Sequence, residues 1–105
     1  MERRKHNRKP IRLKALYQVE GGKPQEGFCR DIGHGGMFLE CSPPLPFNAK
    51  VEIHVDVEQA TGLALTGVVR WTSADGVGIQ FGLMGVRETR VISELLATPP
   101  LPADD

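Results

Sequence analysis

At 105 residues, with 40% hydrophobic and 25% charged side chains, the chain can bury one core but not two, and it is too apolar for a disordered segment. No stretch approaches the roughly 18–20 apolar residues that cross a bilayer, and Met1-Glu2-Arg3-Arg4-Lys5 has no apolar run behind it. A membrane partner and a secretory signal are therefore not expected, and the expected location is cytoplasmic.

The formal net charge of zero hides a division. Seven of the 13 Lys and Arg lie in the first 14 residues beside a single acid, Glu2, and the remainder is acidic by the same margin. A flexible basic arm over residues 1–10, a folded body over 11–97 and a disordered tail over 98–105 are expected. Charge concentrated on a short leader points to an anion clamp rather than a generally basic surface.

In chain order, Ile11, Leu13, Ala15, Tyr17 and Val19 alternate with Arg12, Lys14, Gln18 and Glu20, the period of a half-buried strand, with Leu16 the exception on the second face. Gly21-Gly22-Lys23-Pro24 ends it as a turn. Glu26 to Ile32 reads as a second strand, closed by Gly33-His34-Gly35-Gly36, and Met37 to Cys41 as a third. Pro43, Pro44 and Pro46 then impose a connecting loop, because none can donate a ladder hydrogen bond.

Val51, Ile53, Val55 and Val57 against Lys50, Glu52, His54, Asp56 and Glu58 make the cleanest amphipathic strand. A turn near Gln59-Ala60-Thr61-Gly62 leads to a fifth strand, Leu63 to Thr72, and the Asp75-Gly76 turn returns it through Val77 to Phe81. Over Val86 to Ala97 the period changes, with Val91, Ile92, Leu95 and Leu96 at helical spacing, and Pro99-Pro100 stops the helix. The expected fold is all-β with one helix: a six-stranded antiparallel β-barrel plus a C-terminal α-helix, in keeping with 12 Gly and 8 Pro.

Catalytic patterns are lacking. His6, His34 and His54 are scattered, and Ser42, Ser73 and Ser93 have no nucleophile-elbow context, so no enzyme is expected. Cys29-x4-His34-x6-Cys41 lacks the paired spacing and the fourth ligand of structural zinc, so neither a metal nor a cofactor is expected. Cys29 and Cys41 flank the glycine turn, which leaves two readings open, a cross-strand disulfide or two reduced thiols. Tyr17, Phe38, Trp71 and Phe81 are all assigned to the core, with Trp71 expected to cap it, so a nucleic-acid stacking surface is not expected. The alternative for Trp71 is a place beside a bound base.

Two segments carry binding chemistry. Arg4 and Arg8, spaced R-x-x-x-R with Arg3 just before them, offer planar paired donors that match phosphate oxygens and the O6/N7 edge of guanine. In Asp31-Ile32-Gly33-His34-Gly35-Gly36, a carboxylate at a strand end can accept from a base, and the glycines admit a polar ligand close to the backbone. Alone, each motif says no more than a solvated tail or a hairpin turn.

Together they resemble the PilZ family, the bacterial receptor module for cyclic di-GMP, whose pattern is R-x-x-x-R followed by [D/N]-x-S-x-x-G after the second strand of a six-stranded barrel. Glu2 to Arg8 is similar to the first part, and Asp31 and Gly36 match the second; Gly67 to Trp71, Gly76 to Phe81 and the helix after them resemble the family's closing elements. The resemblance implies that Arg3, Arg4 and Arg8 grip phosphates and guanine edges, that Asp31 accepts from a guanine, and that Gly33 and Gly36 belong to the ligand turn. It also implies an arm that orders on binding and presents a surface to a protein partner regulating motility, biofilm or envelope processes. Gly33 replaces the family's Ser. The lost hydroxyl removes about 0.5–1.5 kcal/mol, no more than about tenfold in affinity, so weakened binding is expected; loss of binding, leaving a protein–protein interaction module, is the alternative.

Overall fold

The structure, a computed structural model, describes residues 9–57 and 60–97. Alternation does most of the construction. In β4 (Lys50–Val57), Val51, Ile53 and Val55 are buried while Glu52, His54 and Asp56 are exposed, because successive side chains of a strand face opposite ways. The other strands are β1 (Lys9–Val19), β2 (Gln25–Ile32), β3 (Gly36–Glu40), β5 (Ala60–Thr72) and β6 (Gly76–Phe81); β3 and β6 are buried almost throughout. These strands close into an antiparallel barrel in the order β1-β2-β3-β6-β5-β4, with β4 paired back onto β1. The expected all-β barrel with one helix is the observed fold.

Inward side chains fill the interior, Ile53, Leu63, Leu39 and Val77 being wholly buried. Each such residue contributes about 1.5–3 kcal/mol relative to exposure. Helix α1 (Val86–Ala97) adds Val91 and Ile92 to this core and packs Leu95 and Leu96 against it. The Gly85 carbonyl accepts from the Thr89 amide at 3.0 Å to open the first turn, and Glu88 complements the helix dipole there. Among the described residues, no helix is long and apolar enough to cross a membrane.

Three expectations need correcting. β1 starts at Lys9 rather than Ile11, since a bulge between Pro10 and Leu13 interrupts the pattern that marks its start. β5 starts at Ala60, so Ala60, Thr61 and Gly62 are strand rather than turn; there too an irregular register, between Val55 and Val57, masks the pairing. Cys41 lies just past β3. Cys29 and Cys41 are free thiols, both buried, which leaves the reduced reading of the pair. Burial pushes the Cys41 thiol up, partly offset by a hydrogen bond with Leu45, and burial together with Cys41 pushes the Tyr17 phenol up.

Candidate functional site

Two β-bulges build the site. In β2, Cys29 pairs with Leu39 but Asp31 pairs with Phe38, so Arg30 is an extra residue. In β5, Val69 pairs with Ile79 but Trp71 pairs with Gly78, so Arg70 is extra. A bulge lets two consecutive residues escape the in–out alternation. Arg30 and Asp31 therefore line one side of a cleft, while Cys29 and Ile32 stay in the core; Arg70 and Trp71 line the other side, outside Val69.

The cleft has a volume of about 610 Å³ and runs between the β2–turn–β3 segment and the β5–β6 hairpin. Phe38, on the outer face between inward Met37 and Leu39, forms its floor. The Phe38 and Trp71 rings stack with centroids 5.3 Å apart and planes tilted by 33°, and the Arg30 guanidinium carbon sits 4.3 Å from the Phe38 centroid. Trp71 is 47% exposed. It does not cap the barrel core; the bulge at Arg70 turns it to the outside, where it presents an indole to the cleft.

Arg70 is oriented by neutral acceptors: its Nε donates to Gln80 Oε1 at 2.9 Å and its Nη1 to Asn48 Oδ1 at 3.4 Å. Asn48 is held in turn by β5, its backbone N–H donating to the Val69 carbonyl at 2.8 Å.

The glycine turn is tied at three points. The Gly33 amide donates to the Gly36 carbonyl at 2.8 Å, and the Gly35 carbonyl accepts from the Phe81 amide at 2.9 Å. His34 Nε2 lies 3.0 Å from Ser93 Oγ on α1, which joins turn and helix. A Cβ added at Gly36 would overlap the Ile79 carbonyl oxygen, so glycine at this place lets β3 approach β6. Beneath the bulge, the Cys29 thiol donates to the Asp31 carbonyl at 3.4 Å.

Of the sequence-expected residues, Asp31, Gly33 and Gly36 all line the cleft. Arg3, Arg4 and Arg8 lie outside the described residues. Arg30, Phe38, Arg70, Trp71 and Gln80 line it too; sequence reading weighed Trp71 only as an alternative to a core cap and did not single out the other four. Their signal was a break in period two, two outward residues in a row at Arg30-Asp31 and at Arg70-Trp71. Among the described residues, no group of His, Cys, Asp and Glu is placed to hold a metal ion.

The PilZ domain family matches residues 2–98. Among curated protein sequences, none matches significantly. Solved structures share the fold. The PilZ domain of CeSA from a cellulose-synthesizing bacterium is 14% identical, with a TM-score of 0.70 over 86% of this chain and 98% of that one. The Bacillus subtilis inhibitor of motility MotI/DgrA is 15% identical, with a TM-score of 0.69 over 90% of this chain and 49% of that one. MrkH in the K. pneumonia MrkH–c-di-GMP complex is 19% identical, with a TM-score of 0.68 over 91% of this chain and 52% of that one. The chain thus spans about half the length of the latter two proteins. It belongs to the PilZ domain family, a family of binding and regulatory modules of cyclic di-GMP signalling.

Proposed function

We propose that the chain is a cyclic di-GMP receptor rather than an enzyme. The nucleotide sits in the cleft between Asp31 and Trp71, and the basic arm ahead of β1, residues 1–8, closes over it. Arg4 and Arg8, assisted by Arg3, grip phosphates and guanine edges; Asp31 accepts from a guanine; Gly33 and Gly36 shape the turn beneath; and the exposed Trp71 ring, backed by the buried Phe38, offers a stacking surface. The ordered arm then becomes a surface for a partner protein in motility, biofilm or envelope control, in the cytoplasm.

One observation carries this reading. Lys9 pairs with Ile32 and Pro10 with Asp31, so the arm is tethered at the lip that bears the carboxylate. Arg4 is five residues ahead of Lys9, within about 17 Å of extended chain, and Arg8 is its immediate neighbour. Calorimetric titration of cyclic di-GMP into wild type, Arg4→Ala and Arg8→Ala is the test. Binding that both substitutions weaken is expected; no heat for wild type at tens of micromolar, or unchanged binding in both variants, sinks it.

Gly33 supports a second reading, an interaction module that no longer takes the nucleotide. Gly33→Ser separates the two. Tightening of existing binding by no more than about tenfold fits the receptor, whereas binding that appears only with the serine fits the module.

A further inference from the structure

Among the described residues, two guanidinium groups line the cleft, and they are held in different ways. Arg70 rests on neutral amide oxygens. Arg30 faces a carboxylate, its Nη1 3.5 Å from Glu40 Oε2. The other oxygen of Glu40 is 3.7 Å from Arg12 Nη1, and the Arg12 guanidinium carbon lies 4.1 Å from the Phe28 ring centroid. One carboxylate is thus shared by a cation in the cleft and a cation beside it.

We propose that Arg30 is a phosphate ligand of the cleft and that Glu40 restrains it, so that the Glu40 carboxylate sets how tightly the cleft holds a nucleotide anion. This rests on the cleft being the cyclic di-GMP site. The restraint is loose. At 3.5 Å the pair is longer than the roughly 2.7–2.9 Å of a strong charge-assisted bond, and the two side chains are 42% and 33% exposed, the regime in which ion pairs are weak.

A phosphate offers Arg30 a more complete set of acceptors than one distant carboxylate oxygen. The Phe38 ring keeps the guanidinium beside the cleft during the exchange. Once Arg30 turns to the ligand, Glu40 keeps Arg12 and is not left unpaired. Glu40 itself is fixed on β3, paired on one side with Phe28 and on the other with Gly76.

The test titrates cyclic di-GMP into wild type, Glu40→Gln, Arg30→Gln and the double variant, each first shown by circular dichroism and urea midpoint to be folded. Glu40→Gln should tighten binding by about two- to fivefold, the worth of an exposed pair. Arg30→Gln should weaken it by about tenfold or more, as for a hydrogen bond to a charged group. In the Arg30→Gln background the Glu40 substitution should have no effect, because the carboxylate acts through Arg30.

Equal tightening in both backgrounds would mean that Glu40 acts only as a general field, and overturns the proposal. So does Glu40→Gln that fails to tighten binding, or Arg30→Gln that binds like wild type. No heat from any of the four proteins overturns the cleft reading and this one together, whereas wild-type binding with an indifferent Arg30 overturns this one alone.

Discussion

The Trp71 indole occupies the space that a side chain at Gly78 would need: a Cβ there would overlap Nε1 and Cε2 of the ring. The two residues are cross-strand partners in the β5–β6 hairpin. Gly78 therefore lets Trp71 lie close to β6 instead of standing away from the barrel, and the Phe38 ring supports it from β3. Sheet geometry turns a half-exposed tryptophan into an oriented surface.

Trp71→Ala should weaken cyclic di-GMP binding by between about fivefold and about a hundredfold, the usual range for one base stacked on an aromatic ring. The urea midpoint should fall only modestly, because the ring lies outside the core cluster and the loss is confined to its contact with Phe38, about 0.5–1.5 kcal/mol. Calorimetry and denaturation on one preparation check both. Gly78→Ala should shift the tryptophan emission maximum as the ring is displaced; an unshifted spectrum would show that the indole is not held against β6.

Gly36→Ala should act on the barrel itself. The added methyl would meet the Ile79 carbonyl oxygen, a backbone atom that cannot rotate away. Overpacking of this kind costs about 1–3 kcal/mol, measurable as a lower urea midpoint without ligand. A variant that loses nucleotide binding but keeps full stability would instead assign Gly36 to direct ligand contact.

His34 and Ser93 join the turn to α1, so removing either partner should loosen the helix. His34→Ala and Ser93→Ala should each raise hydrogen exchange of α1 amides by about two- to tenfold, as for one net hydrogen bond. The double variant should add little to either single, since both delete the same contact. Full additivity would show that the two side chains act on the helix separately.

Stability should fall at alkaline pH. Burial raises the Cys41 thiol above its ordinary value of 9.0 and the Tyr17 phenol above 10.0. The unfolded chain releases these protons at the ordinary values while the folded chain retains them, so ionisation favours unfolding. Stability is fully present below pH 9 and is lost as pH rises through the raised folded values, with Cys41 acting first. Urea midpoints across this range should decline, and Cys41→Ala should remove the earlier part of the decline. A flat profile in wild type would contradict the buried, protonated state of both groups.

The alternation of β4, the Asp75-Gly76 turn and the helical stripe ending in Ile92, Leu95 and Leu96 were legible because each is a local pattern, set by which way neighbouring side chains point. Asp31, Gly33 and Gly36 were legible for a related reason: the end of β2, the turn and the start of β3 hold all three within a few residues. Arg30, Phe38, Arg70 and Trp71 were not. A bulge advances the register by one residue, and what it does to the next side chain depends on a partner strand far away in sequence. Trp71 was expected chiefly as a cap on the core, and the bulge at Arg70 turned it outward, against Gly78. The sequence alone thus determined the barrel, the helix and the charged leader, whereas the pairing of β2, β3, β6 and β5 and its two bulges decided which side chains share the cleft. Strand pairing brings Arg30 and Arg70, forty positions apart, to one opening, and no spacing along a chain encodes that meeting.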